Sequence, residues 1–497
     1  MAKQFIHYAI KNGVEYATLC YPQRVNGEKA NIEQYLGKVI DKQQNIYQSR
    51  ERGIFKFKIN GGFSDYTPPT IDIDEKLILD FGDVYLLSEH LKKTGLYDII
   101  AETLPRASDT VLAMVMFRVL TQSANYYASD WWEGSYARLL FPDAALSSQH
   151  LSGLLEDLGG EAAQRSFFHR YLQFICKNDR YRAILIDSTG LENKINFPLA
   201  AINTHGGKTS RETRLILAVD GATSMPLFFR YAAGNIVDVT TLRATIDELA
   251  QYGVETRMTI VDAGYYSEAN IKSLLDNGIA FLTRVHSNRV IFKDLLKNHI
   301  HELTDSKYLT KYHQRLVYIK RVEISITERN VYAYIAIDFQ RRADESYHYL
   351  MGALEDRQKG RLTDKEIEEK LDALGVFVLI CSECLETQDI LPMYYTRQTI
   401  EQIFDVGKNN IDLLPLRVHN EATFRGHLML SFIASVSYLS FNHSLKKSDI
   451  NAVGVLLNAR NLKCKVYNDA VLVKEPSKVT REAAMLLQVE LPEHITL

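Results

Sequence analysis

Cysteine is scarce in this chain, with Cys20, Cys176, Cys381, Cys384 and Cys464 scattered through 497 residues. That usage excludes a disulfide framework and points to a reducing compartment. Only Cys381 and Cys384 lie close in sequence, and a lone C-x-x-C lacks the second pair that structural zinc requires, so it reads as a strand end. Tryptophan occurs only as Trp131-Trp132, a pair that reads as core or partner contact rather than a base-stacking platform. Long apolar runs are missing too. Leu428 to Phe441 is too short to span a bilayer, and the start at Lys3 and Gln4 has no signal-peptide core, so a cytoplasmic protein without membrane contact is expected. Neither sign of charge dominates: 58 basic against 61 acidic residues leave a net charge of −3. Nothing pulls the whole chain toward nucleic acid, and any such contact must come from local basic surfaces.

What is present is a globular composition, 46% hydrophobic and 24% charged, long enough for two to four domains. Residues 1–65 hold β-prone pieces (Tyr16 to Tyr21, Gly53 to Asn60) separated by turn signals at Asn26-Gly27 and Gly61-Gly62, which predicts a small β-containing module. Over 66–178 the apolar spacing turns helical, as in Val84 to Leu91 and Thr110 to Leu120. From 179 to 285 short apolar runs alternate with helical ones in the order β-β-β-α-β-α-β, which predicts a mixed sheet flanked by helices. Residues 286–374 leave this pattern and read as a β-rich and helical insertion. A buried strand at Gly375 to Cys381 then resumes the core, which runs to 440 with a helix from about Asp389, broken near Pro392, to Lys408. Residues 441–497 form a C-terminal segment. The expected fold class is multidomain α/β.

Asp187 and Asp262 each end a short apolar run, where an α/β sheet presents side chains to a crevice. Either alone is as readily a turn or helix cap. Tyr394, Arg397, Glu401 and Lys408 fall on one helical stripe, a spacing that i,i+4 ion pairs on a solvated helix would also explain. Together, however, three carboxylates facing one crevice make a site of hard oxygens suited to Mg²⁺ or Mn²⁺. Two such ions serve in-line phosphoryl displacement.

The spacing Tyr394-x2-Arg397-x3-Glu401-x6-Lys408 resembles the Y-R-E-K signature of insertion-sequence transposases of the DDE class, the IS-four-like superfamily. Ile186-Asp187-Ser188-Thr189 and Val261-Asp262-Ala263-Gly264-Tyr265-Tyr266 are similar to that family's two aspartate segments. Gly234-Asn235-x2-Asp238-x2-Thr241-Leu242 is similar to the stretch between them, and Leu416-Arg417-Val418 with Arg425-Gly426-His427 to its downstream block. The resemblance implies a ribonuclease H-like catalytic core interrupted by a β-rich insertion. It also implies Asp187, Asp262 and Glu401 as metal-binding catalytic residues with two Mg²⁺ or Mn²⁺ ions, double-stranded DNA (element ends and target) as partner, and a homodimer in the assembled complex of a bacterial or archaeal nucleoid. Expected DNA contacts are Tyr394, Arg397, Lys408, Arg417, Arg425, Lys320 and Arg321, the last two from the basic run Lys307 to Arg329. Tyr308, Tyr312 or Tyr318 offers a stacking face. Lys446 and Lys447 prolong the downstream basic block, and His205-Gly206-Gly207-Lys208 lacks phosphate-loop spacing. A ribonuclease H-like nuclease that does not join strands, and a non-catalytic DNA-binding descendant of a transposase, remain as alternatives.

Overall fold

The computed structural model describes residues 4–11, 14–25, 28–66, 76–177, 181–193, 195, 199–205, 208–236, 238–446 and 451–497. Asn26-Gly27, Gly206-Gly207 and Lys447 lie outside the described residues. The chain divides into two compact units, Met1–Leu77 and Ile78–Leu497.

The first unit is a six-stranded antiparallel meander in sequential order. Alternation with period two puts Ala17 and Leu19, and Phe55 and Phe57, on its buried face with Leu36 and Tyr47. Gly37, at φ +106°, lies where a Cβ would stand 2.1 Å from the Gln48 carbonyl oxygen. Only glycine fits there.

The second unit is built on a ten-stranded sheet. Its first five strands lie in the order Pro226–Ala233, Lys208–Asp220, Tyr181–Glu192, Glu255–Val261, Ala280–Val285. The Tyr181 strand is antiparallel to the Lys208 strand and parallel to the Glu255 strand, which is parallel to Ala280–Val285. Numbered along the chain this is 3-2-1-4-5 with the second strand reversed, a ribonuclease H-like arrangement. Ala201–His205 adds to the Lys208 strand.

The sheet continues where an insertion was expected. Val376–Cys381 pairs antiparallel with Ala280–Val285, and beyond it follow Arg329–Asp338, Arg315–Ile326 and Leu309–Tyr312. The strands of 286–374 thus extend the same sheet, because Val376–Cys381, buried at all six positions, has a partner on each side. Between them the chain forms the helices Val290–His299, Phe339–Gln358 and Asp364–Ala373.

Helices of 78–177 pack on the long helix Glu421–Leu445, which is buried around most of its circumference. A helix apolar on all sides belongs in a core. It crosses Ser148–Gly159 at glycine contacts: a Cβ on Gly426 would stand 1.7 Å from the Leu155 carbonyl oxygen, and one on Gly159 2.2 Å from that of Ala422. The expected boundaries near 178, 285 and 374 therefore all fall inside one compact unit. The end of the chain returns to the start of this unit, as Lys463–Val466, Ala470–Val473 and His494–Thr496 form a four-stranded sheet with Leu77–Asp80. Among the described residues no helix is long and apolar enough to cross a membrane.

Candidate active site

Two aspartates reach the site from neighbouring parallel strands. Asp187 lies within Tyr181–Glu192, not at its end as the apolar run suggested, because the strand continues through Ser188-Thr189-Gly190 against the Lys208 strand. Asp262 directly follows Glu255–Val261 at the N-cap position of a short 3₁₀ turn, Ala263–Tyr265, but makes no capping bond. Its carboxylate is left for other work.

The segment carrying Tyr394, Arg397, Glu401 and Lys408 is two helices, Thr387–Tyr395 and Gln398–Asn410. The break falls at Thr396-Arg397; Pro392 is accommodated inside the first helix. Across the junction the backbone stays helical but tightens to i→i+3 bonds, with Arg397 N–H donating to the Tyr394 carbonyl at 3.2 Å and Ile400 N–H to that of Arg397 at 2.9 Å. A single unbroken stripe is therefore not what aligns these side chains. Their alignment comes from what they touch.

Arg397 is the hub. Its guanidinium donates to Asp187 Oδ2 at 2.5 Å and to Glu401 Oε1 at 3.1 Å, and stands 4.0 Å from Asp262 Oδ1. Tyr394, buried, donates its hydroxyl to Asp262 Oδ1 at 3.3 Å. Lys408 Nζ donates to Thr189 Oγ1 at 2.8 Å, two residues beyond Asp187. All six residues expected on the catalytic side are thus brought together from two strands and two helices. Burial pushes the Asp187 carboxyl up to about 6, with Asp262 and Asp238 adding repulsion, against the lowering effects of Arg397 and the Ser188 N–H. Burial, followed by the Asp262 charge, likewise raises the Tyr394 hydroxyl well above its ordinary value, so it remains a donor.

Behind the triad sits a layer that sequence reasoning passed over. Asp238 accepts from Ser188 Oγ at 2.6 Å and pairs with Arg214 at 2.8 Å, while Arg214 Nε also donates to Ser188 Oγ at 3.0 Å. A Cβ on Gly264 would meet Asp238 Oδ2 at 3.2 Å, so the small residues after Asp262 make room for this carboxylate. The stretch 234–242 carried the signal, but only its spacing was legible, not its partner.

The remaining expected DNA contacts lie elsewhere. Lys320 is buried, donating to Glu302 at 2.6 Å and His299 Nδ1 at 3.1 Å, and Arg321 donates to the Leu385 carbonyl at 2.8 Å. Arg417 is half-exposed, 3.9 Å from Asp412, and Arg425 lines a cavity of about 340 Å³ with Gln164, Tyr231 and Glu248. Tyr312 stacks on Tyr395 at 5.1 Å beside the site, whereas Tyr308 faces Lys307 and Lys320, and Tyr318 packs on Phe339. Trp131 packs on Phe117, and Trp132 donates to the Phe141 carbonyl. His427 is part of the scaffold: its Nδ1 accepts from the buried Arg118 at 3.2 Å and its Nε2–H donates to the Leu413 carbonyl at 3.0 Å. Burial and the Arg118 charge hold it down to about 3, hence neutral. Through Arg118, which also donates to the Ile411 and Asp412 carbonyls, the helical half grips the chain just after the Glu401 helix.

Among the described residues no three acidic, histidine or cysteine side chains lie close enough to hold a metal ion, and a guanidinium stands between the three carboxylates. The donor set nonetheless fits a hard divalent cation. Its carboxylate oxygens already converge on one cationic group, and burial raises the Asp187 carboxyl while a nearby positive charge favours its ionised form.

The ribonuclease H-like sheet brings Asp187, on one strand, and Asp262, just past the end of the neighbouring parallel strand, beside the helix that carries Glu401. The transposase DDE domain family matches residues 178–437, over half of the chain, and the chain belongs to that family. No curated protein matches. Among solved structures, a piggyBac transposase synaptic complex with hairpin DNA is 11% identical at a TM-score of 0.41, over 76% of this chain and 79% of that one. The Drosophila P element transposase strand transfer complex is 13% identical at 0.21, over 74% and 89%. At such scores the likeness is loose, and the assignment rests on the family match.

Proposed function

We propose that this chain is a transposase of the Y-R-E-K group of insertion elements, which hydrolyses the phosphodiester bond at each element end and joins the freed 3′-hydroxyl to target DNA. The observation that carries this reading is the convergence of Asp187, Asp262 and Glu401, from three separate elements, on the single guanidinium of Arg397. Two Mg²⁺ or Mn²⁺ ions held by these carboxylates would supply an activated water and neutralise the leaving 3′-oxygen. The chain's own residues do the positioning. Tyr394 fixes the rotamer of Asp262, and Lys408 holds the strand carrying Asp187 through Thr189. Arg397, released from the carboxylates, has the planar donor fork suited to a phosphate flanking the scissile one. Because two element ends must be brought together, a homodimer on double-stranded DNA in the nucleoid is part of the proposal.

The test uses Asp187→Asn, Asp262→Asn and Glu401→Gln. Each is expected to lose metal-dependent nicking of element-end DNA while binding that DNA nearly as wild type does. Full nicking by any one of them would remove it from the site. Strand joining with pre-cleaved ends separates a transposase from a nuclease, which yields no joined product.

A further inference from the structure

Beside Asp262 the sheet opens into a cleft of about 350 Å³, lined by Arg284, His286, Arg341, Glu345 and Lys370 among others. None of these residues belongs to the signature that marked the site. Arg284 and His286 come from the end of Ala280–Val285 and the turn after it, Arg341 and Glu345 from Phe339–Gln358, and Lys370 from Asp364–Ala373. The helices of the expected insertion thus form one wall of a pocket whose other wall is the second aspartate.

The charge in the cleft is unevenly compensated. Arg341 is paired with Glu345 at 2.7 Å, and Glu345 in turn accepts the Gly375 N–H at 2.8 Å. That pair is a fixed structural element. Arg284 lies over the Phe377 ring at 5.8 Å, and Lys370, exposed, makes no hydrogen bond or ion pair among the described residues. Arg284 and Lys370 therefore face the same space as two acids that are already engaged, Glu345 by Arg341, the Gly375 N–H and the Arg284 charge, and Asp262 by Tyr394 and Arg397, which leaves Lys370 as the cation without a partner among the described residues.

The size of the cleft limits the anion. It is that of a small-molecule pocket, with room for a nucleotide end and not for a duplex. If water attacks the phosphorus and the P–O3′ bond breaks, a proton ends on the 3′-oxygen and the phosphorus stays on the other fragment as a 5′-phosphate monoester. At neutral pH a monoester carries about −1.5 to −2, against −1 for each diester. We infer that this cleft is a 5′-phosphate pocket: Arg284 and Lys370, with Arg341 behind them, hold the 5′-phosphorylated strand end that cleavage leaves beside Asp262. The inference rests on the strand-cleaving reading of the triad. It assigns the helices of 339–373 a role in keeping the cut ends apart.

Binding is measured in EDTA, without turnover, by fluorescence anisotropy competition among 12-nucleotide single strands of one sequence carrying a 5′-phosphate, a 3′-phosphate or neither. The 5′-phosphorylated strand should bind about 10-fold tighter than the other two, the size of one charge-assisted contact. Lys370→Ala, which breaks no hydrogen bond or ion pair among the described residues, and Arg284→Ala should each bring the three strands within about 2-fold of one another. Equal binding of all strands by the wild type, an equal gain from a 3′-phosphate, or a 5′-phosphate preference that survives in the Lys370→Ala, Arg284→Ala double variant overturns the inference. Failure of the cleavage reading shows separately, as nicking retained by Asp187→Asn, and leaves these binding ratios readable.

Discussion

Arg397→Ala removes the one cation that three carboxylates share, and its cost follows from how each is exposed. Asp187, at 14% side-chain exposure, loses a 2.5 Å charge-assisted bond, an interaction of about 1.5–3 kcal/mol when one partner is buried. Glu401, 56% exposed, loses an i,i+4 pair of only about 0.3–0.5 kcal/mol, and Asp262, 42% exposed and 4.0 Å away, loses little. A destabilisation of about 2–3 kcal/mol is therefore expected at pH 8 in EDTA, nearly all of it through Asp187. It should shrink toward pH 5. There Asp187, already raised to about 6 and higher still without Arg397, is protonated in both proteins and no longer needs a counter-charge. Adding Mn²⁺ at pH 8 should stabilise the variant more than the wild type, because a metal ion has no guanidinium to displace. Thermal melts of both proteins at pH 5 and 8, with EDTA or Mn²⁺, measure all three effects. A variant as stable as wild type in EDTA at pH 8, with the same Mn²⁺ response, would show that Arg397 does not balance the triad.

Three further outcomes are expected. Because the folded-state carboxyl of Asp187 lies near 6, above its ordinary 3.8, the folded chain binds more protons than the unfolded one between these values, so metal-free stability should fall as pH rises through that window, by up to about 3 kcal/mol. Denaturant titrations of the wild type and Asp187→Asn check this, since the variant should lack that part of the slope. Lys408→Ala, which frees Thr189, should weaken binding to 30-bp duplexes of any sequence and reduce the salt-dependence slope by about 1, and an unchanged slope would leave Lys408 a purely structural tie to Thr189. Gly426→Ala places a methyl 1.7 Å from the Leu155 carbonyl oxygen and must push two packed helices apart, costing about 1–3 kcal/mol or more in an equilibrium unfolding measurement.

Local pattern was enough to find most of the elements. Apolar runs of four to six residues located the strands around Asp187, Asp262 and Val376–Cys381, and helical spacing located Gln398–Asn410, because burial on one face leaves a period that survives in the sequence. It misjudged what depends on pairing. Asp187 looked like a strand end because Ser188-Thr189-Gly190 is polar, yet the Lys208 strand pairs with it there. The segment 286–374 looked like a departure from the core because its own pattern changes, although its strands close one edge of the same sheet. Pro392 looked like the helix break, but the tightened turn lies at Thr396-Arg397.

By itself the sequence named the candidate acidic residues and pointed to the transposase DDE family, since both are carried by residue types at fixed spacings along the chain. Only the tertiary structure decided what those residues do to one another. It set Arg397 between three carboxylates, buried Lys320 on Glu302, put Asp238 behind the triad and lined the cleft beside Asp262 with Arg284 and Lys370. The reason is that charge and burial act through space: a carboxylate on one strand and a guanidinium 210 residues later meet only when the sheet and its flanking helices are in place.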